Sequence, residues 1–369
     1  MHVVQLNFVP TPPGLMPDQV FAHWPSLADI AEAVSSAGLR VSVIQVSTIP
    51  ARFFRDGIDY HFIEPADGVD PIVARLADLD VDVLHVHGLE FAAAAHAIAR
   101  RLPRLPILLQ DHANRPPRWW RRLPWRRWYA TASGIAFTSL ELARPFVRTG
   151  LFAPSTRLFA IPESSSRFTL DDHTQARNDT GLYGDPCVLW VGHLNPDKDP
   201  MCVLEGVARA AARLPGLRLW CVFGDAPLRE QVQQRIEHDS RLAGRVGLLG
   251  KVEHAHVQRL MRAADLFVAG SRRESCGYAA LEAFACGTLP VLTDIPAFRT
   301  LTDEGRVGML WPCGDPDALA GALLQAATQR PTREQVRAHF DEHLSFAAVG
   351  RRWASAYADI AVNAAEKHR

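Results

Sequence analysis

Two glutamates eight positions apart, Glu274 and Glu282, lie in the stretch Gly270-Ser-Arg-Arg-Glu-Ser-Cys-Gly-Tyr-Ala-Ala-Leu-Glu-Ala-Phe-Ala-Cys-Gly287. The apolar run Leu266 to Ala269 predicts a buried strand that stops at Gly270. Glu274 then falls in a polar loop. Gly277 lets the backbone turn into a helix reaching Cys286, where Gly287 ends it. Glu282 is therefore expected on that helix, about a turn and a half from its start. The unpaired N–H groups of a helix N-terminus attract phosphate. A carboxylate in the loop and another on the helix would flank that anion and accept hydrogen bonds from hydroxyl groups.

A second constellation is Gly192-His-Leu-Asn-Pro-Asp-Lys198, directly after the apolar run Val188 to Val191. Lys198 precedes a helix start and can meet a diphosphate as a point charge. Histidines gather in the first half of the chain. His87 closes Leu84-His-Val-His, and His112 follows Leu108-Leu-Gln-Asp. Both stand at strand ends, where open α/β sheets bind ligands. His85 is expected to point into packing. Arg115 opens a run to Tyr129 in which arginine and tryptophan interleave. That run admits three readings: tryptophans packed inward with solvated arginines, an acceptor site with aromatic faces for sugars, or a lipid contact. The packing reading is preferred, because Pro124 and the chain's zero net charge disfavour a long lipid-binding helix.

The elements that must position these residues follow from periodicity. Val3–Asn7, Val41–Val46, Val83–Val86, Ile107–Gln110 and Gly134–Phe137 predict parallel strands, with helices near 24–37, 91–101 and 139–148. The pattern fades over Pro162–Asp185, which reads as a linker. A second series follows at Val188–Val191, Leu217–Val222, Val246–Leu249, Leu266–Ala269, Pro290–Leu292 and Gly308–Leu310. Asp199-Pro200 and Asp315-Pro316 predict helix N-caps followed by proline. From Ser345 a helical period sets Phe346, Val349, Trp353, Tyr357 and Ile360 on one face.

At 369 residues the chain suits two domains rather than one. Zero formal net charge leaves no global field to recruit nucleic acid, so none is expected as a partner. Lysine occurs only at Lys198, Lys251 and Lys367. The six cysteines form no C-x-x-C pair and read as core thiols of a reducing, cytoplasmic compartment. No basic leader and no long apolar span is evident, so a transmembrane segment is not expected.

Strand, glutamate loop, helix and Gly-x-x-Pro-Val strand together resemble the signature of retaining nucleotide-sugar glycosyltransferases of the GT-B fold, family four. The resemblance is strong from Val188 to Leu292 and weaker before it. It implies an α/β chain of two Rossmann-like doubly wound domains facing a cleft. Residues 1–165 would serve the acceptor and 166–344 the donor, with a helix in 345–369 crossing back to the first domain. It also implies transfer of a sugar from a nucleoside diphosphate to an acceptor hydroxyl with retention. Glu274 would hold sugar hydroxyls and oppose developing positive charge. Backbone N–H groups of Ser275, Cys276 and Gly277 would hold sugar and phosphate, and Glu282 the ribose. Gly192 and Lys198 match the family pattern, Lys198 with His193 stabilising the leaving diphosphate. His193 stands where arginine is usual. Gly14, the remnant of a glycine pair after the first strand, is expected near the diphosphate. His112 matches the histidine beside the transferred sugar, and His87 and Arg115 are acceptor-side candidates. The donor is itself a substrate, and neither cofactor nor metal is expected. Two rivals remain: a nucleotide-sugar 2-epimerase on the same fold, and a non-catalytic nucleotide-sugar binding protein.

Overall fold

A computed structural model describes residues 1–24, 26–65 and 68–367. The chain divides into two compact units, Met1–Ser164 with the tail from Phe346, and Ser165–Ser345.

The first unit carries eight strands: β1 His2–Asn7, β2 Arg40–Val46, β3 Ala51–Arg55, β4 Ile58–Ile63, β5 Val83–His87, β6 Ile107–Gln110, β7 Gly134–Phe137 and β8 Arg157–Ala160. Their order is β3-β4-β2-β1-β5-β6-β7-β8. Every neighbouring pair is parallel except β3–β4. That antiparallel hairpin was not anticipated, although Asp56-Gly57 is a strong hairpin turn signal. Both residues take positive φ, 52° and 79°, as a type I′ turn demands.

The returning helix runs Phe346–Lys367 and packs against the helix Ser26–Ser36. Gly350 makes this approach possible: a Cβ there would sit 2.1 Å from the Ala33 carbonyl oxygen. The predicted face is the buried one, with Val349, Trp353, Tyr357 and Ile360 all fully enclosed. Enclosing Val349 and Ile360 alone contributes roughly 1.5–3 kcal/mol each before the entropy of ordering the chain is counted. This tail thus closes the core of the unit from which it is most distant in sequence.

The second unit has six parallel strands: β9 Cys187–Val191, β10 Arg218–Val222, β11 Val246–Gly250, β12 Leu266–Ala269, β13 Leu289–Thr293 and β14 Met309–Trp311, in the order β11-β10-β9-β12-β13-β14. Such strands are covered on both faces and read as short apolar runs, which is why they were legible. Asp199 and Asp315 cap the helices Pro200–Ala210 and Pro316–Thr328 through their carboxylates, as expected.

The stretch read as a linker contains a helix, His173–Thr180. Asp172 caps it, Gly181 ends it, and only Ala176 is buried. A helix that presents one small residue to the core leaves no apolar period in the sequence. Arg177 nonetheless fixes it to the sheet, 2.6 Å from Asp265. Among the described residues no helix is long and apolar enough to cross a membrane. All six cysteines are free thiols, four of them buried.

Candidate active site

In the second unit the chain order reverses between β9 and β12, since β10 lies on one side of β9 and β12 on the other. Such a switch point opens a crevice at the carboxyl ends of the strands. Gly192 follows β9 there, and Gly270 follows β12. The loops they begin carry His193, Lys198 and Glu274.

Lys198 ends a single 3-10 turn, Pro196–Lys198, capped by Asn195, which accepts from the Lys198 amide at 3.1 Å. Its ammonium donates to the Glu274 carboxylate in a close ion pair. Both side chains are mostly buried, at 25% and 16% exposure. A second tie holds the same two loops, Arg272 Nη2 lying 2.6 Å from Asp199 Oδ2. The Glu274 loop is also anchored from below, where the Thr293 hydroxyl donates to the Ser271 carbonyl at 2.5 Å. Lysine and glutamate are therefore held together by structure around them.

Ser275, Cys276 and Gly277 lead into the helix Tyr278–Ala285. Gly277 takes φ +73°, and a Cβ there would also lie 2.8 Å from the Phe298 ring. Only glycine meets both demands. A helix N-terminus is in general a favourable place for an anion. Glu282 sits on this helix, 13% exposed, and Nε2 of His254 lies 2.5 Å from its Oε1. His254 begins the helix His254–Ala263 after β11. Its hydrogen bond to Glu282 raises the imidazole pKa above 6.5, against a smaller opposing effect of burial. No local sequence pattern pairs His254 with Glu282. Its pairing with Glu282 arises because β11 and β12 end on the same sheet edge.

His193 is oriented by its neighbour across the edge. The Asp225 amide donates to Nδ1 at 3.1 Å. In that bond Nδ1 is the acceptor, which leaves Nε2 as the ring's donor.

The first unit holds its own polar cluster at the ends of β5 and β6. His87 stacks on His85 with ring centroids 4.3 Å apart, and His112 stacks on His87 at 5.8 Å. Residues two apart on a strand share a face, so His85 lies beneath His87. His85 is fully buried and its Nδ1 is 2.7 Å from the Tyr357 hydroxyl of the returning helix. Burial, with the His112 charge, pushes it down to about 3. It is a packing residue, as expected. His87 is likewise held well below the ordinary value, by burial first.

His112 behaves oppositely. Burial disfavours its cation, but Glu163 hydrogen-bonds Nδ1, and with the charges of Glu90 and Asp111 the balance is a raised pKa. Glu163 is 7% exposed and follows β8. Asn114 knits the loop: its amide nitrogen donates to Glu90 at 2.9 Å and its oxygen accepts from the His112 backbone at 3.2 Å. Burial lifts the Asp111 carboxyl to about 6. Glu90, Asp111, Asn114 and Glu163 escaped the sequence reading. Only Asp111 and Asn114, flanking His112, carried a local signal.

Gly14 lies in an open turn at φ +77°, with nothing within 4 Å of a Cβ built on it. Arg115 is exposed just beyond Asn114. The arginine–tryptophan run divides. Trp125 and Trp128 pack inward against the core, as preferred, whereas Trp119 and Trp120 are exposed at 75% and 57%.

The family model described as glycosyl transferases group 1 matches residues 185–329. The similarity to that family is thus confined to the second unit. The match spans β9 to the end of the helix Pro316–Thr328, and so contains Gly192, His193, Lys198, Glu274 and Glu282. A D-inositol 3-phosphate glycosyltransferase of Geodermatophilus obscurus is 35% identical over 172 residues, 44% of this chain and 38% of that protein. A phosphatidyl-myo-inositol mannosyltransferase of Mycobacterium tuberculosis is 36% identical over 140 residues, 37% of this chain and 35% of that protein. The matched stretch thus spans little more than a third of these relatives' length. Among solved structures, a glycosyltransferase from Rickettsia africae superposes with a TM-score of 0.71 at 12% identity, over 97% of this chain and 98% of that one. Anabaena HepE in complex with UDP superposes with a TM-score of 0.61 at 19% identity, over 100% and 98%. The fold is accordingly the GT-B fold, with its two α/β units and returning helix.

Proposed function

We propose that the chain is a retaining glycosyltransferase that moves a sugar from a nucleoside diphosphate to an acceptor hydroxyl. One observation carries this reading above the others. The Lys198–Glu274 pair stands at the switch point where the Gly277 turn begins the helix that bears Glu282. A cation, a helix start and two carboxylates, Glu274 in a loop and Glu282 on the helix, match the chemistry of a sugar diphosphate. Lys198 turns from Glu274 to the diphosphate, joined by the N–H of His193 Nε2 and the amides of Ser275, Cys276 and Gly277. Glu274 then accepts sugar hydroxyls and opposes positive charge at the anomeric carbon. Glu282 accepts the ribose hydroxyls.

Retention follows from attack on the face that the diphosphate leaves. The anomeric carbon–phosphate oxygen bond breaks and the bond to the acceptor oxygen forms. The acceptor proton passes to the departing phosphate. His112, kept protonatable by Glu163, is the proposed residue for sugar and acceptor, with His87 and Arg115 as further acceptor-side candidates. Uridine is the proposed base; the Anabaena structure in complex with UDP supports it. Lys198 and the helix amides meet the diphosphate charge, so the reading needs no metal. The free thiols support a reducing, cytoplasmic setting.

The test is a thermal-shift series with UDP, GDP, ADP and TDP, followed by incubation of the selected sugar nucleotide with candidate acceptors. An α-linked product from an α-linked donor, unaffected by EDTA, is expected. An epimerised nucleotide sugar formed without acceptor would instead identify an isomerase.

A further inference from the structure

The exposed part of the arginine–tryptophan run is unexplained by sugar transfer. Trp119, Trp120 and Leu123 are exposed at 75%, 57% and 80%. They occupy the 3-10 turn Trp119–Arg121 and the start of the helix Arg122–Tyr129. Tyr129 anchors that helix, 1% exposed, so its outward residues are displayed by a fixed support. Arg115, Arg118, Arg121, Arg122, Arg126 and Arg127 surround them, and no aspartate or glutamate occurs from His112 to Leu140. None of these six arginines forms an ion pair among the described residues. The Arg118 guanidinium lies over the Trp120 ring, 5.2 Å from its centre. Beside Leu123 a groove is lined by His96, Arg100, Leu123, Pro124, Arg127 and Trp128. Its Arg127 and Arg100 charges, after burial, lower the His96 pKa, a sign of positive potential there.

We propose that this face docks the protein on an anionic phospholipid surface. Indole rings settle at headgroup depth, and Leu123 gains by entering the acyl boundary. Unpaired guanidinium groups bind phosphate oxygens, and the groove offers two of them to a single headgroup. Nucleic acid would take the arginines and the indoles but has no apolar place for Leu123. Zero net charge over the whole chain does not oppose docking, because salt confines the attraction to within about 10 Å of the patch. Pro124 limits the helix to eight residues, so the device is a short tip rather than a long amphipathic helix.

Flotation of the full chain with vesicles tests this directly. Vesicles of phosphatidylcholine with about one third phosphatidylglycerol should carry the protein, and phosphatidylcholine alone should carry roughly tenfold less. Raising salt from about 0.05 to about 0.5 M should release most of it. Trp119→Ala/Trp120→Ala and, separately, Arg126→Gln/Arg127→Gln should each lower binding roughly tenfold with unchanged melting temperature. Trp119→Phe/Trp120→Phe should retain most of it. Absence of vesicle binding, equal binding to neutral vesicles, or full binding by both loss variants would overturn the proposal. So would binding to a single-stranded oligonucleotide in place of vesicles.

Discussion

His254 Nε2 lies 2.5 Å from Glu282 Oε1, although 28 residues separate them. The two side chains start from different helices at one sheet edge. The carboxylate proposed for ribose is therefore already the acceptor of a basic neighbour, which orients it.

That pairing has a pH signature. His254 is raised above 6.5 when folded, so its contribution to stability is fully present below the unfolded value. It is lost as pH rises through the folded value. Because the imidazole is 74% exposed, the effect is small. His254→Ala should melt below wild type near pH 5.5–6 and approach it above about pH 8. Parallel melting curves at all pH values would remove the linkage.

Glu282→Ala should weaken nucleoside diphosphate binding itself, since ribose is present in donor and product alike. Loss of a charged acceptor costs roughly 1.5–3 kcal/mol, about ten- to a hundredfold in Kd. Calorimetry with UDP measures it, and unchanged affinity in a folded variant would sink the assignment.

Glu274→Ala should separate affinity from turnover. The ion pair holds Lys198 away from other partners, so removing Glu274 frees the ammonium. UDP should bind as well as or better than in wild type, while turnover falls about a hundredfold or more. Lys198→Ala should do the reverse to UDP affinity. If Glu274→Ala lost UDP and kept its turnover at saturation, the two glutamates would have exchanged roles.

The His112–Glu163 contact should show itself in the titration of His112. The raised histidine pKa makes their contribution present below 6.5 and lost as pH climbs through the folded value. In Glu163→Gln the negative charge is gone, so the His112 resonance in NMR should titrate at lower pH than in wild type. An unshifted resonance would mean that the pair is incidental.

His193→Arg should tighten UDP binding by about tenfold, because a two-pronged guanidinium replaces a single ring N–H. Equal affinity would show that the ring does not reach the phosphate.

Local sequence settles the two α/β series, the capped helices, the inward face of the tail, the loops bearing Glu274, Lys198 and His112, and the helix bearing Glu282. Those features are local: apolar runs of strand length, Asp-Pro starts, a helical period and glycines at turns announce themselves within a few residues. Tertiary structure alone decided the partners. Lys198 and Glu274 are 76 residues apart, and His112 and Glu163 are 51 apart. Each pair exists because parallel strands deliver distant loops to one sheet edge, a consequence of strand order that no local pattern encodes. The same holds for His85, whose ring nitrogen finds Tyr357 across 272 residues once the tail folds back. It holds too for the arginine–tryptophan run, where composition was plain but the split between packed Trp125 and exposed Trp119 depended on which face met the core. The helix His173–Thr180 was illegible for the opposite reason: one buried alanine leaves no pattern to read.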